Sequence, residues 1–412
     1  MGELYQLPDG WEWKELKSFG KFIRGVSYKK DQLLESSSDD SFILLRANNI
    51  QNELNLDETQ IVPKDLAKGK EIKDGDILFA MSSGSKHLVG KNILLNGLNN
   101  YTFGAFCSVY RNQKNDMLDN YYLSYVLKSN LYREKLSDLS MGANINNLKS
   151  SDLEIMKIPL PPLSEQQRIV AKLDTLFEKI DKAMALHQKN IDETNVFMAS
   201  VLNDVFGELE EKYRIVKISD IAQIKGGKRL PKGQKLSEVE TNYPYIRVAD
   251  FLDNGTINID SIQYITDEIY QQIKNYTISS NDLYISIAGT IGKTGIVPKE
   301  LDGANLTENA AKLVYKTNDI SNKYVYFLTN SSKFGEQIGL ATKIVAQPKL
   351  ALSRLSEVKL SLPPLQTQQK VVAYLDEISQ KLEKVKTIQK EKMQSLKALK
   401  ASILDQAFRG KL

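Results

Sequence analysis

The sequence predicts a mixed α/β protein (α+β or α/β) made as an internal repeat. Two globular domains are each followed by a long helix, and the two helices pair as an antiparallel coiled coil. Three observations predict this. A stretch recurs at an offset of 202 residues with ten of sixteen positions identical. Each copy opens a long run free of Pro and Gly in which apolar residues return every seven positions. The segments ahead of each copy are short apolar runs separated by Gly, Asn and Asp turns, the pattern of strands and short helices in mixed domains.

The recurring stretch is Pro159-Leu-Pro-Pro-Leu-Ser-Glu-Gln-Gln-Arg-Ile-Val-Ala-Lys-Leu-Asp174 against Ser361-Leu-Pro-Pro-Leu-Gln-Thr-Gln-Gln-Lys-Val-Val-Ala-Tyr-Leu-Asp376. The same offset carries Ala199-Ser-Val-Leu202 onto Ala401-Ser-Ile-Leu404 and Phe206 onto Phe408. No insertion intervenes, so each stretch is one continuous element. Two prolines end the preceding strand, Ser164 is placed to cap the helix with Gln167 as its capping-box partner, and about 42 residues follow. At about 1.5 Å per residue, such a helix is roughly 63 Å long.

In the first helix Leu173, Ile180, His187, Thr194 and Val201 form one heptad row, and Val170, Phe177, Met184, Ile191, Met198 and Val205 a second. The second helix offers Leu375, Leu382, Gln389, Leu396 and Ile403, with Ile378, Val385 and Leu399 in the other row. An antiparallel pair related by a pseudo-twofold axis sets 173–201 against 403–375 and His187 opposite Gln389, a polar pair that either fixes register or leaves His187 as a solvated helix residue. Charge favours the same pairing. Residues 159–212 carry a net −4 and residues 361–412 a net +5, whereas residues 1–158 and 213–360 carry −1 and +4. The expected domains are therefore 1–158, a helix over 159–207, a second domain over 208–360 and a second helix over 361–412.

The two globular segments correspond weakly but in order. Trp13-Lys-Glu-Leu16 matches Ile215-Val-Lys-Ile218, Leu45-Arg46-Ala47 matches Ile246-Arg247-Val248, and Asp76-Ile-Leu-Phe79 matches Asp282-Leu-Tyr-Ile285. Such a pair of domains shares a fold while presenting different surfaces.

Composition narrows the function. The 412 residues have a formal charge of +4 and a hydrophobic fraction of 42%, with a mean hydropathy of −0.35, as an ordinary folded chain does. No apolar window is long enough to span a bilayer and no secretory leader is visible, so a cytoplasmic protein without membrane attachment is expected. One cysteine, Cys107, and two distant histidines, His87 and His187, leave no disulfide framework, no Cys-rich zinc site and no Ser/His/Asp set.

A variable globular domain, a long helix opened by Leu-Pro-Pro-Leu-x-x-Gln-Gln, and then both again, resembles the DNA-specificity subunits of type I restriction-modification systems. The carriers are Leu160–Leu163 with Gln166-Gln167, Leu362–Leu365 with Gln368-Gln369, and the closing Ile403-Leu-Asp-Gln-Ala-Phe-Arg-Gly-Lys-Leu412. The resemblance implies a non-catalytic subunit with two target-recognition domains, each reading one half of a split, asymmetric sequence in double-stranded DNA. It implies methylation subunits docked on the helices and restriction subunits in the full complex. S-adenosylmethionine, ATP and Mg then belong to those partners and no cofactor to this chain. From another functional class, a coiled-coil adaptor with two protein- or RNA-binding domains has the same architecture; sequence-specific duplex binding separates the two.

For DNA, the useful side chains are Lys and Arg that neutralise phosphates and Arg, Asn, Gln, Ser or Thr that read base edges. On loops of the first domain these are Tyr28, Lys29, Lys30, Arg46, Asn48, Asn49, Ser83, Ser85 and Lys86. In the second they are Lys228, Arg229, Lys232, Lys235, Arg247, Thr290, Lys293, Lys343 and Gln347. Arg46 and Arg247 stand out because each follows an apolar strand at matching positions, although a structural ion pair would produce the same pattern.

Three motif-like stretches are read as coincidence. Ile287-Ala-Gly-Thr-Ile-Gly-Lys-Thr294 lacks the first glycine of a nucleotide-binding loop and is better read as a strand-to-turn loop near DNA phosphates. Asn242-Tyr-Pro-Tyr245 departs from the amino-methyltransferase signature at its second position and is expected to be a turn before a strand. Pro8-Asp9 and Glu12-Trp-Lys14 are too close together for the two halves of a nuclease metal site.

Overall fold

The computed structural model describes residues 5–51, 53–82, 89–140, 147–342 and 349–412. The chain divides into two compact units, residues 1–187 with 391–412 (unit 1) and residues 188–390 (unit 2).

In unit 1, β1 (Glu12–Glu15) pairs antiparallel with β9 (Lys157–Leu160). A four-stranded antiparallel sheet has the order β2 (Gly20–Arg24), β8 (Cys107–Asn112), β5 (Ile77–Ala80), β6 (Asn92–Leu94). A three-stranded sheet has the order β4 (Gln60–Pro63), β3 (Ser41–Leu45), β7 (Tyr101–Phe103), with β3 and β7 parallel. Helices α1 (Asn120–Val126), α2 (Asn130–Ser140) and α3 (Ser150–Glu154) complete the globular part, and α4 (Leu163–Lys212) follows.

Unit 2 repeats the topology. β10 (Ile215–Lys217) pairs with β18 (Lys359–Ser361). The four-stranded sheet is β11 (Ala222–Gly226), β17 (Ala310–Tyr315), β14 (Leu283–Ser286), β15 (Thr294–Ile296). The three-stranded one is β13 (Gln263–Tyr264), β12 (Pro244–Ile246), β16 (Asn305–Leu306), with β12 and β16 parallel. Its helices are α5 (Ile218–Ile221), α6 (Asp267–Ile273), α7 (Asn322–Thr329), α8 (Ser332–Thr342) and α9 (Leu352–Ser356), and α10 (Leu365–Phe408) follows.

The central strands read as unbroken apolar runs because both of their faces are covered. In β5, Ile77 and Phe79 enter one core while Leu78 and Ala80 enter another. In β14, Leu283 and Ile285 face one core and Tyr284 the opposite one. The matched aspartates ahead of these strands are structural. Buried Asp76 pairs with Arg111 at 2.7 Å, and buried Asp282 pairs with Lys312 at 2.8 Å.

The repeated Leu-Pro-Pro-Leu-x-x-Gln-Gln motif joins each globular part to its helix through the first glutamine. Gln166 is fully buried. Its carbonyl oxygen accepts from Asp119 N–H at 2.8 Å, and its amide donates to the Met117 and Pro161 carbonyls at 2.8 and 2.9 Å. Gln368 accepts from Ser321 N–H at 2.8 Å and donates to the Asp319 and Pro363 carbonyls at 3.1 and 2.9 Å. Every partner is displaced by the repeat offset. So is a second link: the Tyr122 hydroxyl donates to Pro159 O and the Tyr324 hydroxyl to Ser361 O. Asp119 and Ser321 are themselves the N-caps of α1 and α7, so the glutamine ties one helix start to another.

The expected Ser164–Gln167 capping box does not form. The Pro162 carbonyl accepts from Glu165 and Gln166 N–H at 2.9 and 3.0 Å, so Ser164 already lies inside the helix and Gln167 is exposed. Strand residues reach Leu160 and Ser361, two positions and one position into the stretches expected to be helical. At its other end α4 continues through Gly207 to Lys212. Glycine costs about 1 kcal/mol inside a helix, and burial of Phe206 and Leu209 on either side offsets it.

Within unit 1 the helices run antiparallel. Arg168 donates to Leu412 O at 2.8 Å, while Lys400 bonds both Asp181 oxygens at 2.8 Å and lies 4.7 Å over the Phe177 ring. Leu173, Phe177 and Ile180 are buried in a core to which Leu396 and Ile403 also belong. In unit 2, Val201 and Leu375 share a core with Met198, Val205, Val371 and Ile378, and Leu382 is half-buried. His187 is the last residue of the first segment of unit 1, and Gln389 belongs to unit 2. The second row proposed for α10 is not a seam throughout: Val385 and Leu399 are 38% and 48% exposed. With the exposed Lys384 and Lys397 in the same stretches, these two positions are turned toward solvent.

Candidate nucleic-acid interface

In unit 1 three strand ends meet at one turn. Residues Gly104–Cys107 link β7 to β8, closed by Cys107 N–H donating to Gly104 O at 2.8 Å. Gly104 N–H donates to Leu45 O at 2.9 Å, Val26 N–H to Phe103 O at 2.7 Å, and Gly25 N–H to Cys107 O at 3.2 Å. Met81 and Ser82 N–H both donate to Phe106 O, at 2.9 and 3.1 Å. The backbones touch: a Cβ on Gly25 would stand 2.1 Å from Gly104 O, so only glycine fits there. From these anchors leave the segments carrying Tyr28–Lys30 and Arg46–Asn49, and the one that runs on toward Ser83.

Unit 2 builds the same junction around Thr307–Ala310. Ala310 N–H closes the turn on Thr307 O at 3.1 Å, Thr307 N–H donates to Ile246 O at 3.0 Å, and Lys228 N–H to Leu306 O at 2.8 Å. Ile287 and Ala288 N–H both donate to Asn309 O, at 2.8 and 3.2 Å. A Cβ on Gly227 would lie 2.1 Å from Thr307 O. The segments leaving this junction carry Lys228–Lys235, Arg247 and Thr290–Lys293. Residues scattered over most of each globular domain in sequence thus emerge from one place in each unit.

Arg46 and Arg247 hold matching positions, each leading a short 3-10 turn, but differ in what surrounds them. Arg247 is a structural ion pair: it bonds both oxygens of fully buried Asp250 at 3.1 and 2.7 Å, Gln263 Oε1 at 2.5 Å and Ser261 O at 2.8 Å. The Asp250 hydrogen bond holds the guanidinium above its ordinary pKa. In unit 1 the residue three positions on is Asn49, not an aspartate. Asn49 is buried, accepting from Arg46 N–H and donating to Asn55 O and Glu58 O, so its side chain holds the turn together. Among the described residues, Arg46 makes one side-chain bond, to Glu58 O at 3.0 Å, and its Nε is buried without a partner. Asn48 is exposed, 3.4 Å from the Glu58 carboxylate.

The other candidates sort by their neighbours. The Tyr28 hydroxyl donates to Gln60 Oε1 at 2.6 Å. Arg229 pairs with Glu308 at 2.6 Å. Burial pushes the Glu308 carboxyl up, but hydrogen bonds from Arg229 and Thr307 outweigh it and hold the group below its ordinary value. Lys293 pairs with Asp253 at 2.6 Å, and Lys228 lies 5.4 Å over the Tyr276 ring. Lys29, Lys30, Lys232, Lys235 and Thr290 are exposed, and among the described residues these four lysines have no ion pair. Ser83, Ser85, Lys86, Lys343 and Gln347 lie outside the described residues.

The motif-like stretches take ordinary places. Residues 287–294 form a turn between antiparallel β14 and β15, with no helix after the glycines. Tyr243 stacks on Tyr270 at 4.1 Å just before β12. Glu12 and Lys14 pair with each other at 2.6 Å along β1. Cys107 is buried, which pushes its thiol up to about 12. Sequence reasoning missed the turn itself and its outward residues, Phe106 in unit 1 and Glu308-Asn309 in unit 2. An apolar residue in a Gly-Ala-Phe-Cys run gives no polar signal to find.

The profile of the family described as type I restriction modification DNA specificity domain matches residues 8–192 and again 210–392. The chain is 30% identical to the specificity subunit of the type I restriction enzyme EcoKI from Escherichia coli strain K12, over 99% of this chain and 90% of that protein. It is also 30% identical to the StySPI specificity subunit of Salmonella potsdam, with the same coverage. Among solved structures, a chain from a study of complex assembly and conformational transition of the type I restriction-modification system superposes with a TM-score of 0.75. That match has 23% identity and covers 99% of this chain and 100% of that one. The HsdS subunit from Thermoanaerobacter tengcongensis gives a TM-score of 0.51 at 23% identity, over 99% of each chain. These structures share the fold, and the repeated domain match with full-length relatives at 30% identity shows that the chain belongs to the family of type I restriction-modification DNA specificity subunits.

Proposed function

We propose that this chain reads a split, asymmetric sequence in double-stranded DNA, one half with each unit, and directs methylation and cleavage by partner subunits. The observation that carries the reading is the paired junction. Two copies of one backbone frame each gather three loops at a single turn, and the side chains on the two frames differ. A repeated scaffold with unlike surfaces suits two unlike half-sites. Lys29, Lys30, Lys232 and Lys235, which have no ion pair among the described residues, serve phosphates, and Arg46, which lacks the carboxylate that Arg247 has, serves a base edge.

In this reading the chain is catalytically inert and acts in the cytoplasm. S-adenosylmethionine, ATP and Mg sit on the methylation and restriction subunits. The methylation subunits dock on α4 and α10, where Val196, Phe197 and Ile388 are at least half-exposed or nearly so, at 70%, 54% and 49%. Apolar side chains on a polar helix surface favour such a protein partner.

The test is to map methylated bases across the host genome by single-molecule sequencing, with and without this gene. A split motif of two short halves at fixed spacing, lost on deletion, supports the proposal. Unchanged methylation, together with no sequence preference in duplex selection by the purified complex, overturns it in favour of an adaptor that binds protein or RNA.

A further inference from the structure

The turn at the centre of the unit 1 junction carries an exposed apolar side chain. Phe106 is 70% exposed, although a phenylalanine ring is ordinarily buried. Its backbone is the opposite of free. The Phe106 carbonyl accepts two N–H bonds, Cys107 N–H closes the turn, and Gly104 N–H ties it to the end of β3. Gly104 and Ala105 before it keep the tip narrow, and the Tyr28 ring stands 3.6 Å from where a Gly104 Cβ would be. A rigid, narrow turn therefore projects an apolar ring from the place where the Tyr28–Lys30 and Arg46–Asn49 segments begin.

Unit 2 shows that the frame does not require this side chain. Asn309 performs the same backbone task, its carbonyl accepting from Ile287 and Ala288 as Phe106 accepts from Met81 and Ser82. The side chain there is an amide. A position whose backbone role is fixed while its side chain is free to change is suited to reading a sequence.

We propose that Phe106 is a specificity-determining residue of unit 1, whose ring packs against the C5-methyl group of a thymine in the half-site that this unit reads. The inference rests on the DNA-recognition reading above. Phenylalanine has no hydrogen-bonding group, and the thymine methyl is the apolar mark that the major groove offers.

The experiment uses the complex of the full chain with its partner subunits and duplexes carrying the mapped split site. Each thymine of both half-sites is replaced in turn by uracil, which removes only the methyl group. The wild-type complex is expected to lose about four- to tenfold in affinity at one thymine of one half-site. Phe106→Ala should lose a similar factor on the thymine duplex and be indifferent to uracil at that position, while Phe106→Leu retains part of the preference. Unchanged affinity and base preference in Phe106→Ala overturns the proposal. So does an equal loss on unrelated sequences, which assigns the ring to the backbone or to a non-specific wedge, and so does a failure to assemble with partners that leaves base preference intact. If the wild-type complex shows no sequence preference, the underlying functional reading fails instead.

Discussion

Phe206, near the end of α4, stands edge-on to Tyr324 with ring centroids 5.6 Å apart, and Phe408, at the end of α10, meets Tyr122 in the same way at 5.5 Å. Tyr122 precedes α4 in the chain and Tyr324 precedes α10. Each unit is therefore closed by the far end of the helix that belongs to the other repeat. The tyrosines also bond the residues at their own helix entries, Pro159 and Ser361, so each ring couples the start of one long helix to the finish of the other.

This exchange makes the two phenylalanines local keystones. Phe408→Ala is expected to destabilise unit 1 by about 3–5 kcal/mol, and Phe206→Ala unit 2 by a similar amount. A chain of two units need not melt as one, so the measurement is hydrogen exchange resolved along the sequence. Protection should fall in residues 5–187 for Phe408→Ala and in residues 188–390 for Phe206→Ala. An even loss over both units in either variant would contradict the exchange.

The two glutamines of each Gln-Gln pair should behave differently. Removing the buried side chain of Gln166 leaves the Asp119 N–H and two carbonyls without partners, and orphaned buried groups cost about 1–3 kcal/mol each. Gln167 is exposed, and Gln167→Ala should stay within about 0.5 kcal/mol of wild type. Gln368 and Gln369 repeat the contrast. Denaturant titration of the four alanine variants checks it, with a loss at Gln167 as large as that at Gln166 counting against the assignment.

Much of the architecture was legible because the long helices forbid insertions. One offset aligns Gln166 with Gln368, Tyr122 with Tyr324 and Phe206 with Phe408, and the hydrogen bonds obey it. Heptad spacing likewise located Leu173, Ile180, Val201 and Leu375, which are buried. Other features are set by tertiary neighbours that no spacing encodes. The exposure of Leu399, which shares its heptad row with packed Ile378, depends on which side of α10 the core occupies. The capping role was given to Gln167, and the joining role of Gln166 went unread because its partners Met117 and Asp119 lie far back in sequence. For the candidate interface, loop chemistry found segments that meet at the junction but treated Arg46 and Arg247 alike. The difference between them is a single residue three positions on, Asn49 or Asp250.

That difference separates stability from recognition. Arg247→Ala leaves the fully buried Asp250 carboxylate without its cation, a change expected to cost about 3–5 kcal/mol of unit 2 stability. Arg46→Ala strands no carboxylate. It should instead weaken binding by about 1–3 kcal/mol, at one base pair of one half-site. Thermal unfolding and duplex binding on both variants decide the matter. Arg46→Ala losing affinity equally on all sequences would assign it to a phosphate.

The lysines without ion pairs should act through salt. If Lys232 and Lys235 neutralise phosphates, each alanine substitution lowers affinity for specific and non-specific duplexes alike and reduces the slope of log affinity against log salt by about 0.9. Lys293, paired with Asp253, should change the slope less. A steep change at Lys293 with none at Lys232 or Lys235 would move the phosphate track to the other side of the junction.

The continuity of α4 leads to a prediction about spacing. The helix passes from unit 1 into unit 2 without a break, and the division falls between His187 and Gln188. Four residues inserted near Asn190 lengthen a helix by about 6 Å, close to two base-pair steps of about 3.4 Å. An insertion of four also leaves the apolar rows nearly in phase, because it is a whole turn and a small fraction, and coiled coils absorb such stutters by local unwinding. A matching insertion near Lys386 in α10 keeps the partner helix equally long. Methylation mapping should then return both half-sequences unaltered with a gap widened by one or two base pairs. If the gap stays the same while both halves are still read, the helices do not set the spacing, and the flexibility must lie in the DNA or in the partner subunits.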